Sequence, residues 1–224
     1  MKPTVTPIDA TFGARITGVA LANLNDDAWN EIEDAFHEYG MLVFPNQGLS
    51  EEDQVDFALR FGEIEHLRAN KDQKAVKITN KKADGSVLQP DEHRFKALRG
   101  NEGWHTDSSY MPLAAKASIL SAIVVPKSGG GTACADMRAA YDALDDEMKE
   151  RIEDLSPHHS LYQSQSKIGH IVETGTAYGY HNKGAPLRPL VKTHPVTGRK
   201  SLFIGRHAYG IPGLGEEESE PLLH

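Results

Sequence analysis

The chain has 224 residues, 39% of them hydrophobic and 25% charged, with a formal net charge of -8, which is ample for one soluble domain with a sizeable core. The acidic balance weighs against general binding of nucleic acid or an anionic membrane, both of which need a basic face. Cys134 is the sole cysteine and excludes an internal disulfide, no apolar run reaches the length of a membrane span, and the start lacks the apolar core of a secretory leader, so the reducing cytoplasm is the expected compartment.

The opening "TVTPIDATFGARITGVAL" alternates apolar and polar residues around Gly13 and Gly18 and predicts two short strands. A helix follows in "NDDAWNEIEDAFHEYG": Asn25 can cap it, Asp26 and Asp27 suit its positive end, Trp29, Ile32, Phe36 and Tyr39 recur at helical spacing, and Gly40 stops it. "MLVFP" predicts a buried strand ending at Pro45. In "LSEEDQVDFALRFG", Ser50 and Asp53 have capping-box spacing, with Val55, Ala58, Leu59 and Phe61 as the apolar face.

From Ile64 to Arg99 the chain turns polar and basic, with Arg68, Lys71, Lys74 and Lys77 three apart and Lys81 and Lys82 close behind. Two readings stay open: a solvated loop or edge strand, or a lid whose positive field draws in a small anion. "AKASILSAIVVP" predicts an unbroken buried strand from about Ala117 to Val125. The glycines of "KSGGGTACADM" are no phosphate loop, because no Gly-Lys-Ser/Thr follows and no helix starts where the anion would lie. "DMRAAYDALDDEMKERIEDL" places Leu144, Met148, Ile152 and Leu155 on one helical face. "YQSQSKIGHIVETGTAYGYHNKGAP" is irregular, and "PLVKTHPVTGRKSLFIG" predicts a hairpin turning at Thr197-Gly198. Short strands around a few helices point to a sandwich or barrel rather than βαβ units.

The chemistry concentrates in "GNEGWHTDSSYMP". In an extended segment His105 and Asp107 share one side and could reach one ion, giving two members of a 2-His-1-carboxylate facial triad for non-haem Fe(II). The pair by itself carries little weight, since 11 His and 15 Asp in this length produce about 0.7 such pairs by chance.

The chain resembles the taurine dioxygenase and 2,4-dichlorophenoxyacetate dioxygenase family of Fe(II)/2-oxoglutarate-dependent oxygenases over nearly its whole length. The resemblance rests on "GMLVFPNQGLSEEDQVDFALRFGEIE", "WHTDSSY", "SILSAIVVPKSGGGTACADMRAAYDAL" and "RPLVKTHPVTGRKSLFIGRHAYGIPGL", all in family order. It implies a mixed α/β, mainly β fold, a double-stranded β-helix (jelly roll) with flanking helices. It also implies His105 and Asp107 as iron ligands, Thr132 as the hydroxyl that binds a carboxylate of the cosubstrate 2-oxoglutarate, and Asn101 at the substrate. The implied partners are O2 and a small anionic organic substrate, a phenoxyacetate-like carboxylate cleaved to a phenol and glyoxylate, or in the family's other branch a sulfonate or sulfate ester. A homo-oligomer is compatible with the sequence.

The family's second histidine ligand, and the arginine that pairs with 2-oxoglutarate, follow a Trp-Asp-Asn run with no counterpart here. His194 and His207 match family positions upstream of that ligand, and His224 ends the chain. The chain therefore reads as a single domain, 1–224, lacking its last strands, and the expectation is that it is inactive or poorly folded alone. Two further classes stay open: a zinc hydrolase built on the His-x-Asp pair, and a jelly-roll binding protein without catalysis.

Overall fold

The computed structural model describes residues 2–65, 74–171, 173–174 and 179–223. They form two compact units: residues 1–64, 117–144 and 193–201, and residues 65–116, 145–192 and 202–224.

The first unit is built as the sequence predicts at its start. Strands β1 (Thr4–Pro7) and β2 (Ala14–Thr17) pair antiparallel, and β2 pairs in parallel with β3 (Leu42–Val43). Helix α1 (Asp26–Tyr39) begins where Asn25 accepts the Ala28 N–H at 2.9 Å, and ends at Gly40, whose φ of 70° is the left-handed conformation that glycine adopts without strain. Arg138 then donates to the last carbonyls of α1, at 2.8 Å to Glu38 O and 3.3 Å to Tyr39 O, so a cation sits at the negative end of the helix. Helix α2 (Glu51–Leu59) starts in the reciprocal capping box of Ser50 and Asp53. Ala14, Ile16, Leu21, Trp29, Ile32, Ala35 and Phe57 pack into the core of this unit, with Trp29 edge-on to Phe61 at 4.9 Å between centroids.

Several expectations are corrected. The strand β3 is two residues long with Val43 40% exposed, because only the Ala14 and Arg15 backbones pair with it. On α2, Phe57 rather than Leu59 faces the core, since Phe44 and Phe61 close edge-on around the Phe57 ring. The predicted strand from Ala117 to Val125 has no regular structure. Ile119 packs against the core and its carbonyl accepts from Gln54, but Leu120, Ile123, Val124 and Val125 are 66–83% exposed. A strand needs a neighbour to satisfy its backbone, and among the described residues none pairs with this one.

The helical stretch predicted over "DMRAAYDALDDEMKERIEDL" is broken into α4 (Met137–Asp142) and α5 (Asp146–Ile152), because the Asp145 carboxylate caps the Met148 N–H at 2.8 Å and restarts the helix. The basic stretch gives way to a helix, α3 (His93–Gly100), and the irregular stretch contains another, α6 (Leu161–Ser166). The Arg68 and Lys71 of that basic stretch lie outside the described residues. Strands β5 (Val191–Thr193) and β6 (Lys200–Leu202) make the predicted hairpin, β4 (His158–His159) pairs antiparallel with β7 (Ala208–Tyr209), and α7 (Glu216–Leu223) follows. The mixed α/β class holds. Among the described residues, however, helix exceeds strand, the sheets have three, two and two strands, and none closes into a barrel. No helix among them is long and apolar enough to cross a membrane.

In the second unit His159 is 2% exposed and stacked on Phe203 at 5.5 Å, and among the described residues neither ring nitrogen has a hydrogen-bond partner. Burial, helped by the charges of Arg188 and Lys192, pushes its pKa from 6.5 down to about 4. The folded state thus favours neutral His159, and the stability this confers is complete above pH 6.5 and lost as pH falls toward 4. Over that window the loss is roughly 3 kcal/mol. In urea melts at a series of pH values, His159→Leu should keep its stability near pH 7 and lose less on acidification than the parent chain; an unchanged acid transition would contradict this.

Candidate metal centre

The segment carrying His105 is held from three sides within the second unit. Behind it, the Arg206 N–H donates to Trp104 O at 2.9 Å. Gly205 makes that approach possible: a Cβ there would lie 3.1 Å from both His105 Cα and Trp104 O, and its φ of 147° is one that larger residues rarely adopt. After Asp107 the chain turns through Ser108, at φ 56°, whose hydroxyl donates to Glu65 at 2.7 Å. Beyond the turn, Arg188 donates to Ser109 O at 3.0 Å and also to the carbonyls of Met111 and Pro112.

These contacts bring the pair together. His105 Nε2 lies 3.2 Å from Asp107 Oδ1, with the imidazole 24% and the carboxylate 58% exposed. Two cis ligands at ordinary metal–ligand bond lengths of about 2.1 Å sit roughly 3 Å apart, so the spacing suits one ion. His105 Nδ1 lies 2.7 Å from Gly103 O. A carbonyl can only accept, so Nδ1 carries the proton and Nε2 is the nitrogen free to ligate. Without a metal, the hydrogen bond to Asp107 raises the His105 pKa against the opposing effect of burial.

The remaining predicted residues are placed differently. Asn101 is exposed at the C-terminal cap of α3, in the same unit as the pair. Thr132 is exposed in the first unit, one residue past a glycine turn in which Gly129 and Gly130 take φ values of 71° and 67°. Among the described residues no third His, Cys, Asp or Glu joins His105 and Asp107.

The His207 ring lies 5.6 Å from that of His105. It is 3% exposed, and its Nδ1 lies 2.8 Å from Ser164 Oγ, which itself donates to Leu161 O. Burial and the charge of Arg206 push its pKa down to about 3, so it is a neutral packing partner of the liganding segment. Sequence reading missed Gly205, Arg206, Ser164 and Arg188. The phrase "FIGRHAYG" holds the first two, yet nothing in it says that its backbone meets Trp104.

The family model described as "Taurine catabolism dioxygenase TauD, TfdA family" matches residues 4–224. The chain is 52% identical over 225 residues to the (S)-phenoxypropionate/alpha-ketoglutarate-dioxygenase of Sphingobium herbicidovorans, covering 98% of this chain and 76% of that protein. It is 37% identical to the alpha-ketoglutarate-dependent 2,4-dichlorophenoxyacetate dioxygenase of Cupriavidus pinatubonensis, covering 100% of this chain and 80% of that one. Relatives named as sulfonate dioxygenases are 28% and 30% identical. Among solved structures, AAD-2 in complex with Mn(II) and N-oxalylglycine matches with a TM-score of 0.88 at 39% identity, covering 100% of this chain and 78% of that one.

Gly205→Ala should weaken metal binding by about tenfold or more, the effect of disturbing the support of a ligand. Anaerobic calorimetry with Mn(II) checks this, and an unchanged affinity would show that the approach of Gly205 does not position His105.

Proposed function

The chain belongs to the TauD, TfdA family of dioxygenases, and on that premise we propose that it is an Fe(II)- and 2-oxoglutarate-dependent oxygenase of small anionic aryloxyalkanoates. The observation that carries this reading is the His105–Asp107 pair, tautomer fixed and donor atoms 3.2 Å apart, inside the family's motif. The graded likeness, higher to aryloxyalkanoate enzymes than to sulfonate enzymes, favours the former substrate class.

In this reading His105 Nε2 and an Asp107 carboxylate oxygen hold the iron, which when bound lets 2-oxoglutarate and O2 serve as the oxidant. Thr132 donates its hydroxyl to a carboxylate of 2-oxoglutarate, and Asn101 faces the substrate. The family's jelly roll is the fold that goes with this assignment. The residues of this chain supply geometry and charge. Gly103 O keeps the proton on His105 Nδ1, and Arg188 fixes the carbonyls that follow the ligands. The cations of the 74–82 stretch offer an anionic substrate a favourable approach.

The reaction balances as one substrate C–H, one 2-oxoglutarate and one O2 giving one C–OH, succinate and carbon dioxide. Hydroxylation at the carbon between ether oxygen and carboxylate leaves a hemiacetal or hemiketal. It collapses to a phenol and a 2-oxo acid, glyoxylate in the phenoxyacetate case.

Binding measured anaerobically with Mn(II) and 2-oxoglutarate present should show a phenoxypropionate held at least about tenfold more tightly than an alkylsulfonate of similar size, a difference of about 1.4 kcal/mol. Equal or reversed preference would move the chain to the sulfonate branch. Saturable zinc binding at His105 without any effect of 2-oxoglutarate would favour a hydrolase instead.

A further inference from the structure

A pair of imidazoles, His93 and His170, meets in the same unit as the His105–Asp107 pair. His93 opens α3 and is exposed, whereas His170, in the loop after α6, is 3% exposed, and their Nε2 atoms lie 2.7 Å apart. The His170 ring is fixed by Gln165: the His170 N–H donates to Gln165 O at 3.0 Å, and His170 Nδ1 lies 3.3 Å from Gln165 Oε1.

Gln165 is itself 2% exposed and reaches this position because residue 100, in the last turn of α3, is glycine; a Cβ there would come within 2.6 Å of Gln165 Oε1. With Oε1 as acceptor, His170 Nδ1 carries its proton and Nε2 presents a lone pair to His93. In the metal-free protein His93 Nε2–H fills that lone pair.

We propose that His93 and His170 form a two-imidazole chelate for a divalent cation of the copper(II), nickel(II) and zinc(II) group. Imidazole is the ligand these ions share, and copper(II) binds such sites most strongly. At metal–nitrogen bonds of about 2.0–2.1 Å, two cis nitrogens sit roughly 2.9–3.4 Å apart, so the rings open by well under 1 Å to admit an ion. The proton on His93 Nε2 leaves to solvent or moves to Nδ1 on binding, and the exposed side of His93 leaves the remaining positions to water. Burial, helped by its neighbours His93 and Lys96, holds His170 below its ordinary pKa, which favours the neutral form that ligates a metal. The Lys96 ammonium, one turn along α3 from His93, opposes the ion and sets a ceiling on affinity.

Copper(II) titration of the full chain carrying His105→Ala, read by electron paramagnetic resonance, tests this apart from the His105–Asp107 centre. One bound ion coupled to two ring nitrogens is expected. Adding His93→Gln, a change at an exposed position, should weaken it by about 10- to 100-fold, and Lys96→Ala should strengthen it. The proposal falls if the His105→Ala chain binds no copper, or if His93→Gln leaves stoichiometry and spectrum unchanged.

Discussion

The 2.7 Å contact between His105 Nδ1 and Gly103 O is the constraint on which the candidate centre depends. An imidazole offers two nitrogens, and only when one is committed as a donor does the other become a dependable ligand. Here the commitment is made by a carbonyl two residues back in the chain, so it is maintained only while the backbone from Gly103 to Asp107 keeps its path. That path is set by neighbours of the same unit. Gly205 and the Arg206 N–H press on Trp104 from one side, and Arg188 gathers the Ser109, Met111 and Pro112 carbonyls on the other. The chemistry of two side chains therefore rests on a glycine and two arginines placed along the backbone around them.

The same device recurs at His93 and His170. Gln165 Oε1 accepts from His170 Nδ1–H and leaves Nε2 facing His93, and Gly100 gives Gln165 the space to do so. In both places a glycine permits a close approach beside an imidazole: Gly205 against the backbone of Trp104 and His105, and Gly100 against the Gln165 side chain. His159 contrasts with both, since its ring is buried against Phe203, has no hydrogen-bond partner among the described residues, and serves the core as a flat, neutral packing group.

Local signals were legible in the sequence where local chemistry decides the outcome. Asn25, Gly40, Ser50 with Asp53, and Thr197-Gly198 act within a few residues of themselves, and each does in the structure what its type and spacing predict. The His-x-Asp pair was legible for the same reason. What depends on distant partners was not. Asp145 could as readily have continued a helix as restarted one, and "SILSAIVV" has strand-forming residues but no paired neighbour among the described ones. The clamp of Arg188 on residues 76 to 79 positions away, and the meeting of His93 with His170, 77 apart, leave no periodic trace. Family resemblance supplied what spacing could not, namely roles for Thr132 and Asn101.

The assignment of His105 and Asp107 as ligands of ferrous iron is the centre of this account, and an anaerobic titration of the chain with Fe(II) and 2-oxoglutarate tests it most directly. A visible charge-transfer band of chelated iron that is lost on His105→Ala and on Asp107→Ala is the predicted result. A band that survives both substitutions would place the iron elsewhere and contradict the account.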